Sequence, residues 1–280
     1  MICIIFAPPR TGKTCFLTHV LNTYMFDNVR NYKMQQEIRQ KQVNGFEFIK
    51  TIPQHCVSSN YGVTGYKFRY STRHSRIINP YKLGFKNKWV ETHFNLPYEV
   101  IGITEAQKYL NSRMSQYFPD WQSRWYEQHG HNYLDIFLDT QRPGLIDVNI
   151  RELSHFIEII NLKKKYDKNG NITALTWTIR HIDNNALYER YISSGKKDSA
   201  CYEQLIVTAN YNVFECYEST CCKPKFYQGH FEEDIDYLFS SQTEETLDGY
   251  IEYLKNNDDE LPDNFYQKRS LNKWFFIKTI

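Results

Sequence analysis

An eight-residue segment near the N-terminus, APPRTGKT at positions 7–14, limits the folds open to this chain. It follows the apolar stretch ICIIF at positions 2–6, which predicts a short buried strand. It precedes a helical pattern that begins at about Lys13. A strand, a Gly-Lys-Thr loop and a helix in this order are typical of a phosphate-binding loop, although Ala7 stands where glycine is usual.

The residue types in this loop suit the binding of a nucleoside triphosphate. Backbone N–H groups at the start of the helix point toward the β-phosphate, and Gly12 permits a close approach of the backbone. We expect Lys13 to reach the β and γ oxygens and the Thr14 hydroxyl to coordinate Mg²⁺. ATP is therefore expected to contact Ala7, Pro8, Pro9, Arg10, Thr11, Gly12, Lys13, Thr14 and Cys15.

A second nucleotide-binding element is expected where an apolar strand ends in an acidic residue. The segment 98–104 predicts such a strand, and Glu105 follows it. Glu105 is placed to orient or deprotonate an attacking water, although a strand-end residue that caps the next helix is the alternative. Thr104 stands where an Asp usually holds the metal through water. We expect Thr104 to be a weaker metal ligand, and the missing Asp is compatible with slow hydrolysis.

A third element is the predicted strand at 133–139, which is followed by Thr140, Gln141 and Arg142. In ring-forming NTPases, a polar residue at the end of this strand senses the γ-phosphate. Gln141 is the candidate for that role.

Predicted strands alternate with predicted helices along most of the chain. Besides the segments above, strands are predicted at 55–61, 155–162 and 172–181, and helices at 13–43, 121–131 and 146–151. The sequence DKNGN at 167–171 is a strong hairpin turn between the last two strands. The pattern predicts an α/β P-loop NTPase fold, with a mainly parallel central sheet flanked by helices and a late antiparallel hairpin.

Charged residues are segregated along the sequence. Residues 48–90 contain eight basic and no acidic residues, with aromatic side chains between them. Such a segment either stacks bases and follows phosphates or forms a Tyr-rich β insertion that packs on the main sheet. Residues 231–264 contain twelve acids and one Lys, and the last sixteen residues are basic again. We therefore expect an ATPase domain at 1–230, with an insertion at about 62–90, and a C-terminal segment at 231–280.

The cysteines favour a reducing compartment. There are seven, an odd and scattered set, and a secreted disulfide framework is usually even and denser. Cys216, Cys221, Cys222 and His230 lie close together in sequence, but they lack the paired Cys-x-x-Cys spacing of most zinc sites. No apolar run reaches the roughly 18 to 20 residues of a membrane span, so the simplest expected location is the cytoplasm.

The order of the motifs resembles that of a known family. Taken together, the motifs are similar to those of the zonula occludens toxin-like family, the assembly ATPases of filamentous bacteriophages in the FtsK/HerA-like branch of P-loop proteins. The resemblance extends over about residues 1–230. The segments that carry it are 7–14, 101–107, 111–113, 129–131, 138–142, 146–151 and 213–219.

The resemblance implies an ATP-driven motor that forms a ring of identical subunits. Such a motor is thought to extrude single-stranded phage DNA with its coat protein from the cytoplasmic face of the inner membrane. The roles of the family's loop, acidic strand end and sensor then fall on Lys13, Thr14, Glu105 and Gln141. An arginine finger acting on a neighbour's γ-phosphate has three candidates, each of which is otherwise a surface or salt-bridge residue: Arg113, Arg142 and Arg151.

The sequence departs from the family in having no membrane span after the ATPase domain. Either it works with a separate membrane assembly protein or with coat protein, or it is a soluble relative with another role. Residues 231–280 are the expected docking segment. Two other functions remain open. One is a DNA-translocating or DNA-packaging ATPase of the same branch, and the other is a nucleotide-binding adaptor that does not hydrolyse ATP.

Overall fold

The computed structural model describes residues 1–43, 53–66, 75–78, 80, 83, 96–113 and 120–217 of the 280. Within these ranges eight strands form one sheet. The strands are β1 (Ile2–Phe6), β2 (Val57–Ser59), β3 (Arg76–Ile77), β4 (Val100–Ile103), β5 (Asp135–Thr140), β6 (Ser154–Tyr166), β7 (Ile172–Ile182) and β8 (Glu203–Ala209).

Five α-helices lie in the described ranges, together with short 3-10 helices. The α-helices are α1 (Lys13–Met25), α2 (Asn28–Val43), α3 (Asp120–Glu127), α4 (Val148–Glu152) and α5 (Asn185–Ser193). The 3-10 helices are Ala106–Lys108, His129–Asn132, Pro143–Leu145, Ser199–Cys201 and Val213–Cys216.

The sheet order is β3-β2-β4-β5-β1-β6-β7-β8. The six neighbouring strands β3, β2, β4, β5, β1 and β6 pair in parallel. The strand β7 pairs antiparallel with both β6 and β8. The predicted α/β fold, with a mainly parallel sheet and a late antiparallel hairpin, is confirmed. The strand β1 lies between β5 and β6, so the loop that follows it is placed near the middle of the sheet.

The strand β1 is buried on both faces because its side chains alternate between two cores. Cys3 and Ile5 pack in the core that contains Phe16, Leu17 and Leu21 of α1. On the other face lie Ile2 and Ile4, in the core that contains Trp125, Tyr126, Leu134 and Ile150. The fully apolar sequence of this strand is explained by this double burial.

The hairpin of β6 and β7 turns where the sequence predicts. The Asp167 carboxylate accepts hydrogen bonds from the backbone N–H groups of Asn169 and Asn171, and Gly170 has a φ of 82°. The first half of β6 is buried, whereas Lys163–Tyr166 are largely exposed. The hairpin therefore presents its distal, lysine-rich half to solvent.

Several elements differ from the sequence-based expectations. The strands β3 and β8 and the helix α5 were not predicted, and the predicted helix at 13–43 is divided into α1 and α2 at Phe26 and Asp27. The strand β8 lies at the edge of the sheet and exposes much of its surface, so its sequence lacks a clear apolar pattern.

Parts of the earlier predictions fall outside the described residues. These are the C-terminal segment 231–280, most of the basic insertion at about 62–90, and Cys221, Cys222 and His230. At the start of the insertion, Val63 forms an antiparallel bridge with Tyr217, and the Tyr66 ring lies 4.4 Å from the Tyr211 ring. Among the described residues, no helix is both long and apolar enough to cross a membrane.

Candidate nucleotide site

The loop between β1 and α1 lies at the edge of the sheet formed by the carboxyl ends of the parallel strands. Ala7 is buried directly after the strand, whereas Pro8, Pro9 and Arg10 are exposed. Arg10 and Gly12 both have positive φ angles, 64° and 87°. The backbone therefore turns sharply twice before α1 begins at Lys13.

The side chains of the loop converge on one carbonyl group. The Lys13 ammonium donates to the Pro8 carbonyl oxygen at 3.2 Å, and the Thr11 hydroxyl donates to the same oxygen at 2.7 Å. Lys13 is almost entirely buried. The ammonium group is thus held over the loop, the position from which a phosphate-binding lysine acts.

The first turn of α1 is open to an anion. Its N-cap residue, Gly12, offers no side chain to the free N–H groups, and no acidic residue occupies the first turn. Unpaired N–H groups and the positive end of the helix dipole both favour a phosphate there. The cysteine that follows, Cys15, is buried, and its burial raises the pKa of the thiol to about 12, so it is a packing residue rather than a nucleophile.

Three side chains from three elements meet beneath the loop. The Thr14 hydroxyl of α1 and the Thr104 hydroxyl after β4 both donate to Oδ2 of Asp139 on β5, each at 2.9 Å. The two hydroxyl oxygens are 3.2 Å apart. Asp139 is fully buried, so this carboxylate is a hydrogen-bonded group inside the sheet edge rather than a surface charge.

The electrostatics of Asp139 are set by opposing effects. Burial raises the pKa of its carboxyl group, because desolvation disfavours the charged form. Hydrogen bonds from the Glu105 N–H and from the hydroxyls of Thr104 and Thr14 lower it again, as does the nearby charge of Lys13. The hydrogen-bond donors of this site therefore offset part of the cost of burying the Asp139 carboxylate.

Glu105 lies at the same edge of the sheet. Its N–H donates to Oδ1 of Asp139 at 2.9 Å, and its backbone adopts a left-handed conformation with a φ of 53°. The Gln107 amide donates to Oε2 of Glu105 at 2.6 Å. Glu105 is the N-cap residue of the helix Ala106–Lys108, but its side chain makes no capping hydrogen bond. The carboxylate is oriented by Gln107 instead.

The end of β4 is fixed by a reciprocal pair of hydrogen bonds with a neighbouring loop. The Asn60 amide donates to the Thr104 carbonyl oxygen at 3.0 Å, and the Thr104 N–H donates to the Asn60 Oδ1 at 2.8 Å. Asn60 is buried. Sequence analysis did not single it out, because the pairing depends on β2 lying beside β4.

The candidate sensor residue and the candidate arginines differ in how far their side chains are exposed. Gln141 and Arg142 are exposed directly after β5, and Arg113 is exposed after the segment that pairs Asn111 with Ile146. Arg151 is engaged within its own chain, because its guanidinium donates to the Ile146 carbonyl and to the Glu189 carboxylate, each at 3.2 Å. Arg151 therefore forms a salt bridge within its own chain.

Asp139 is a further site residue that the sequence analysis missed. It was placed on the predicted strand but was given no role. The available signal was an acidic residue at the end of an otherwise apolar strand, in the sequence IFLD at 136–139. A buried carboxylate in such a position requires hydrogen-bond partners, and the partners belong to residues 14, 104 and 105.

The donor set fits a magnesium–nucleotide complex. Hydroxyl and carboxylate oxygens are hard ligands of the kind that Mg²⁺ prefers, and Thr14 and Asp139 supply both types. The α1 N–H groups and the Lys13 ammonium supply positive charge for phosphate oxygens. The residues present are therefore suited to ATP with Mg²⁺.

The strand order and the loop after β1 define a P-loop NTPase fold. No protein-family model matches the chain, and no curated protein matches it. Among solved structures, the chain is similar to the N-terminal domain of zonular occludens toxin from Neisseria meningitidis, with 19% identity and a TM-score of 0.44. The match covers 78% of this chain and 98% of that one.

Two further solved structures are similar to the chain. One is the genome packaging NTPase B204 from Sulfolobus turreted icosahedral virus 2 in complex with ATP-gammaS, at 12% identity and a TM-score of 0.33. The other is B204, the DNA-packaging ATPase from Sulfolobus Turreted Icosahedral Virus, at 11% identity and a TM-score of 0.33. Each match covers 66% of this chain and 93% of the other.

Proposed function

We propose that the chain is an ATP-hydrolysing motor for the assembly and extrusion of a filamentous bacteriophage at the bacterial inner membrane. The observation that supports ATP hydrolysis is the placement of Lys13, Thr14, Asp139 and Glu105 at one edge of the sheet. These residues provide phosphate binding, metal ligation and a carboxylate for water within one connected site.

Each group has a distinct role in the proposed reaction. Lys13 and the first-turn N–H groups of α1 bind the phosphates, and the Thr14 hydroxyl would hold Mg²⁺, which would supply positive charge to stabilise the developing negative charge. Glu105, oriented by Gln107, positions and deprotonates the attacking water. Gln141, exposed at the end of β5, contacts the γ-phosphate and relays its presence to the next subunit.

The motor role and its partners extend the resemblance described above. Exposed Arg142 and Arg113 are suited to reach ATP on a neighbouring copy, as a ring of identical subunits requires. Coat protein or a membrane assembly protein at the inner membrane, with single-stranded DNA as cargo, completes the proposal. The cytoplasmic face of that membrane is the proposed location.

Steady-state ATP turnover tests this function directly. Wild-type protein and the variants Lys13→Ala and Glu105→Gln are compared, with Lys163→Ala as a matched control because Lys163 is exposed on the hairpin. We expect Lys13→Ala and Glu105→Gln to abolish turnover and Lys163→Ala to leave it unchanged. Glu105→Gln is expected to retain ATP binding, since it removes the base and not the phosphate contacts.

Other outcomes identify the alternative functions. ATP binding without turnover in the wild type, even with coat and membrane proteins added, would favour the adaptor. Strong stimulation by DNA alone, with binding that weakens as salt rises, would favour a DNA-translocating or DNA-packaging ATPase. Stimulation that needs coat or membrane protein is the result expected for the assembly motor.

A further inference from the structure

The carboxylate missing from the end of β4 is present on the neighbouring strand. Ile103 of β4 pairs with Leu138 of β5, and the next residues along the two strands, Thr104 and Asp139, are hydrogen-bonded through their side chains. Asp139 is also opposite Ile5 of β1, one strand closer to the phosphate loop. The acid is thus displaced by one strand and remains at the same sheet edge.

We infer that Asp139 supplies the carboxylate that secures the Mg²⁺ of the bound nucleotide, and that Thr104 is the hydrogen-bonding partner that orients it. This inference rests on the proposed function. It assigns to β5 a role that the sequence pattern places on β4.

The hydrogen bond between Thr14 and Asp139 has the polarity that a metal ligand requires. A hydroxyl group has one proton and two lone pairs. The Thr14 proton is donated to Asp139 Oδ2 at 2.9 Å, so the lone pairs remain available for a cation. An ionised acceptor also makes the hydroxyl oxygen a better ligand, which is the usual effect of a carboxylate behind a metal-binding side chain.

Charge balance gives an independent reason for a cation. Asp139 is fully buried, and within the described part of the chain no basic side chain lies within 4.0 Å of it. The Lys13 ammonium is bonded to the Pro8 carbonyl instead. A buried carboxylate without an ion-pair partner is costly, and a divalent cation held beside Thr14 removes that cost.

The geometry also explains why Thr104 is not acidic. Its hydroxyl is 2.9 Å from Asp139 Oδ2, so an Asp in its place would set two carboxylates side by side in a buried position. Like charges at such a distance disfavour each other's ionised form. One ionised acid at either position is therefore compatible with the site, whereas two ionised acids would repel each other.

The test is the effect of Mg²⁺ on the affinity for a non-hydrolysable ATP analogue, measured with Mg²⁺ and with a chelator. Asp139→Asn is expected to reduce the gain in affinity from Mg²⁺ by about 10- to 100-fold, with little effect on the affinity measured in chelator. The amide can still accept the Glu105 N–H and donate to a threonine hydroxyl, so the variant is expected to fold. Asp147→Asn is the matched control, because Asp147 is a buried aspartate whose carboxylate caps α4 by accepting from the Asn149 N–H.

A second variant moves the carboxylate back to β4. The double variant Thr104→Asp/Asp139→Asn is expected to recover most of the Mg²⁺ effect, whereas Thr104→Asp alone is expected to lower thermal stability. Electron–nuclear double resonance on Mn²⁺ bound with the ATP analogue to wild-type protein provides a readout without any variant. Aspartate labelled with ¹³C at the carboxyl carbon is expected to add a carbon hyperfine coupling that unlabelled protein lacks.

The outcomes separate this inference from the proposed function. Asp139→Asn that keeps the full Mg²⁺ effect, or wild-type protein without the ¹³C coupling, would overturn the role of Asp139 while leaving the ATPase proposal intact. Wild-type protein that binds no ATP analogue would overturn the proposed function and this inference with it. A Lys13→Ala variant that binds the analogue as tightly as the wild type would do the same.

Discussion

Leu162 of β6 packs directly against Gly12 in the phosphate loop. A Cβ atom built on Gly12 would lie 2.7 Å from Leu162 Cδ2, closer than real Cβ atoms approach. Gly12 also has a φ of 87°, which side-chain-bearing residues rarely adopt. The late hairpin, which the sequence analysis treated only as an extension of the sheet, therefore forms one wall of the loop.

Gly12→Ala is expected to destabilise the protein mainly through the left-handed backbone conformation at this position. The left-handed backbone is expected to cost about 1 to 2 kcal/mol, and the contact adds less because the terminal methyl of Leu162 can move aside. Denaturant unfolding of Gly12→Ala, Leu162→Ala and the double variant separates them. The double variant should regain the stability lost through the contact but not the stability lost through the backbone conformation. Complete recovery would contradict the backbone contribution.

A buried ion pair fixes the edge of the sheet next to β4. Arg76 of β3 pairs with Glu99, and the Ser58 hydroxyl bonds to the same carboxylate. The Leu96 N–H donates to the other carboxylate oxygen at 2.8 Å. The side chain of Glu99 is fully buried and that of Arg76 is 4% exposed. Removal of one partner would therefore leave a buried charge without its counterion.

Arg76→Met is expected to lower the free energy of unfolding by about 3 to 5 kcal/mol, because Glu99 is then buried without its cation. The double variant Arg76→Met/Glu99→Met removes both charges and is expected to be more stable than Arg76→Met alone. A double-mutant cycle by denaturant unfolding measures the difference. A double variant as unstable as the sum of the two single variants would show that the pair is not coupled.

The local parts of the site could be predicted from sequence, and the non-local parts could not. The strand, the loop around Lys13 and the helix α1 are contiguous in sequence, and their residue types suffice to predict them. The role of Asp139 depends on β5 lying between β1 and β4. The contact of Leu162 with Gly12 likewise depends on β6 lying beside β1. Neither of these strand pairings can be predicted from the local residue pattern of the strands.

The three arginine candidates are expected to behave differently in ATP hydrolysis. Arg142→Ala is expected to lower turnover by about 10³-fold or more with unchanged affinity for ATP, since an arginine finger acts on the transition state. Arg151→Ala is expected to retain turnover because its guanidinium bonds to Ile146 and Glu189 of its own chain. Arg113→Ala is expected to lower turnover as Arg142→Ala does, because Arg113 is also exposed.

Mixing experiments show whether the arginine acts between subunits. Arg142→Ala protein and Glu105→Gln protein are each expected to be inactive alone. When they are mixed, some interfaces combine an intact Glu105 with an intact Arg142 from the next subunit, and turnover should reappear there. Mixtures that stay inactive would indicate that Arg142 acts within its own chain or has no part in hydrolysis.

His19 on α1 makes stability dependent on pH. Its ring stacks on Trp177 at a centroid distance of 5.3 Å, and its Nδ1 lies 3.0 Å from the Tyr211 hydroxyl. Burial lowers the pKa of His19 from 6.5 to about 4. The folded protein therefore keeps this imidazole neutral at pH values where the unfolded chain is already protonated.

The sign of the pH effect follows from linkage. The unfolded chain binds a proton at His19 near pH 6.5, whereas the folded protein binds it only near pH 4, so the free energy of unfolding falls as the pH is lowered through this range. The loss attributable to His19 is on the order of 3 kcal/mol at pH 4. Burial also lowers the pKa values of His155 and His181, which add to the slope.

His19→Gln isolates this contribution because glutamine keeps a polar group beside Tyr211 and does not titrate. Urea unfolding at pH 7.0 and pH 5.0 is compared for the variant and the wild type. We expect the wild type to lose more stability between the two pH values than His19→Gln, by about 2 kcal/mol. Equal losses in the two proteins would mean that the imidazole of His19 is protonated as readily in the folded chain as in the unfolded one.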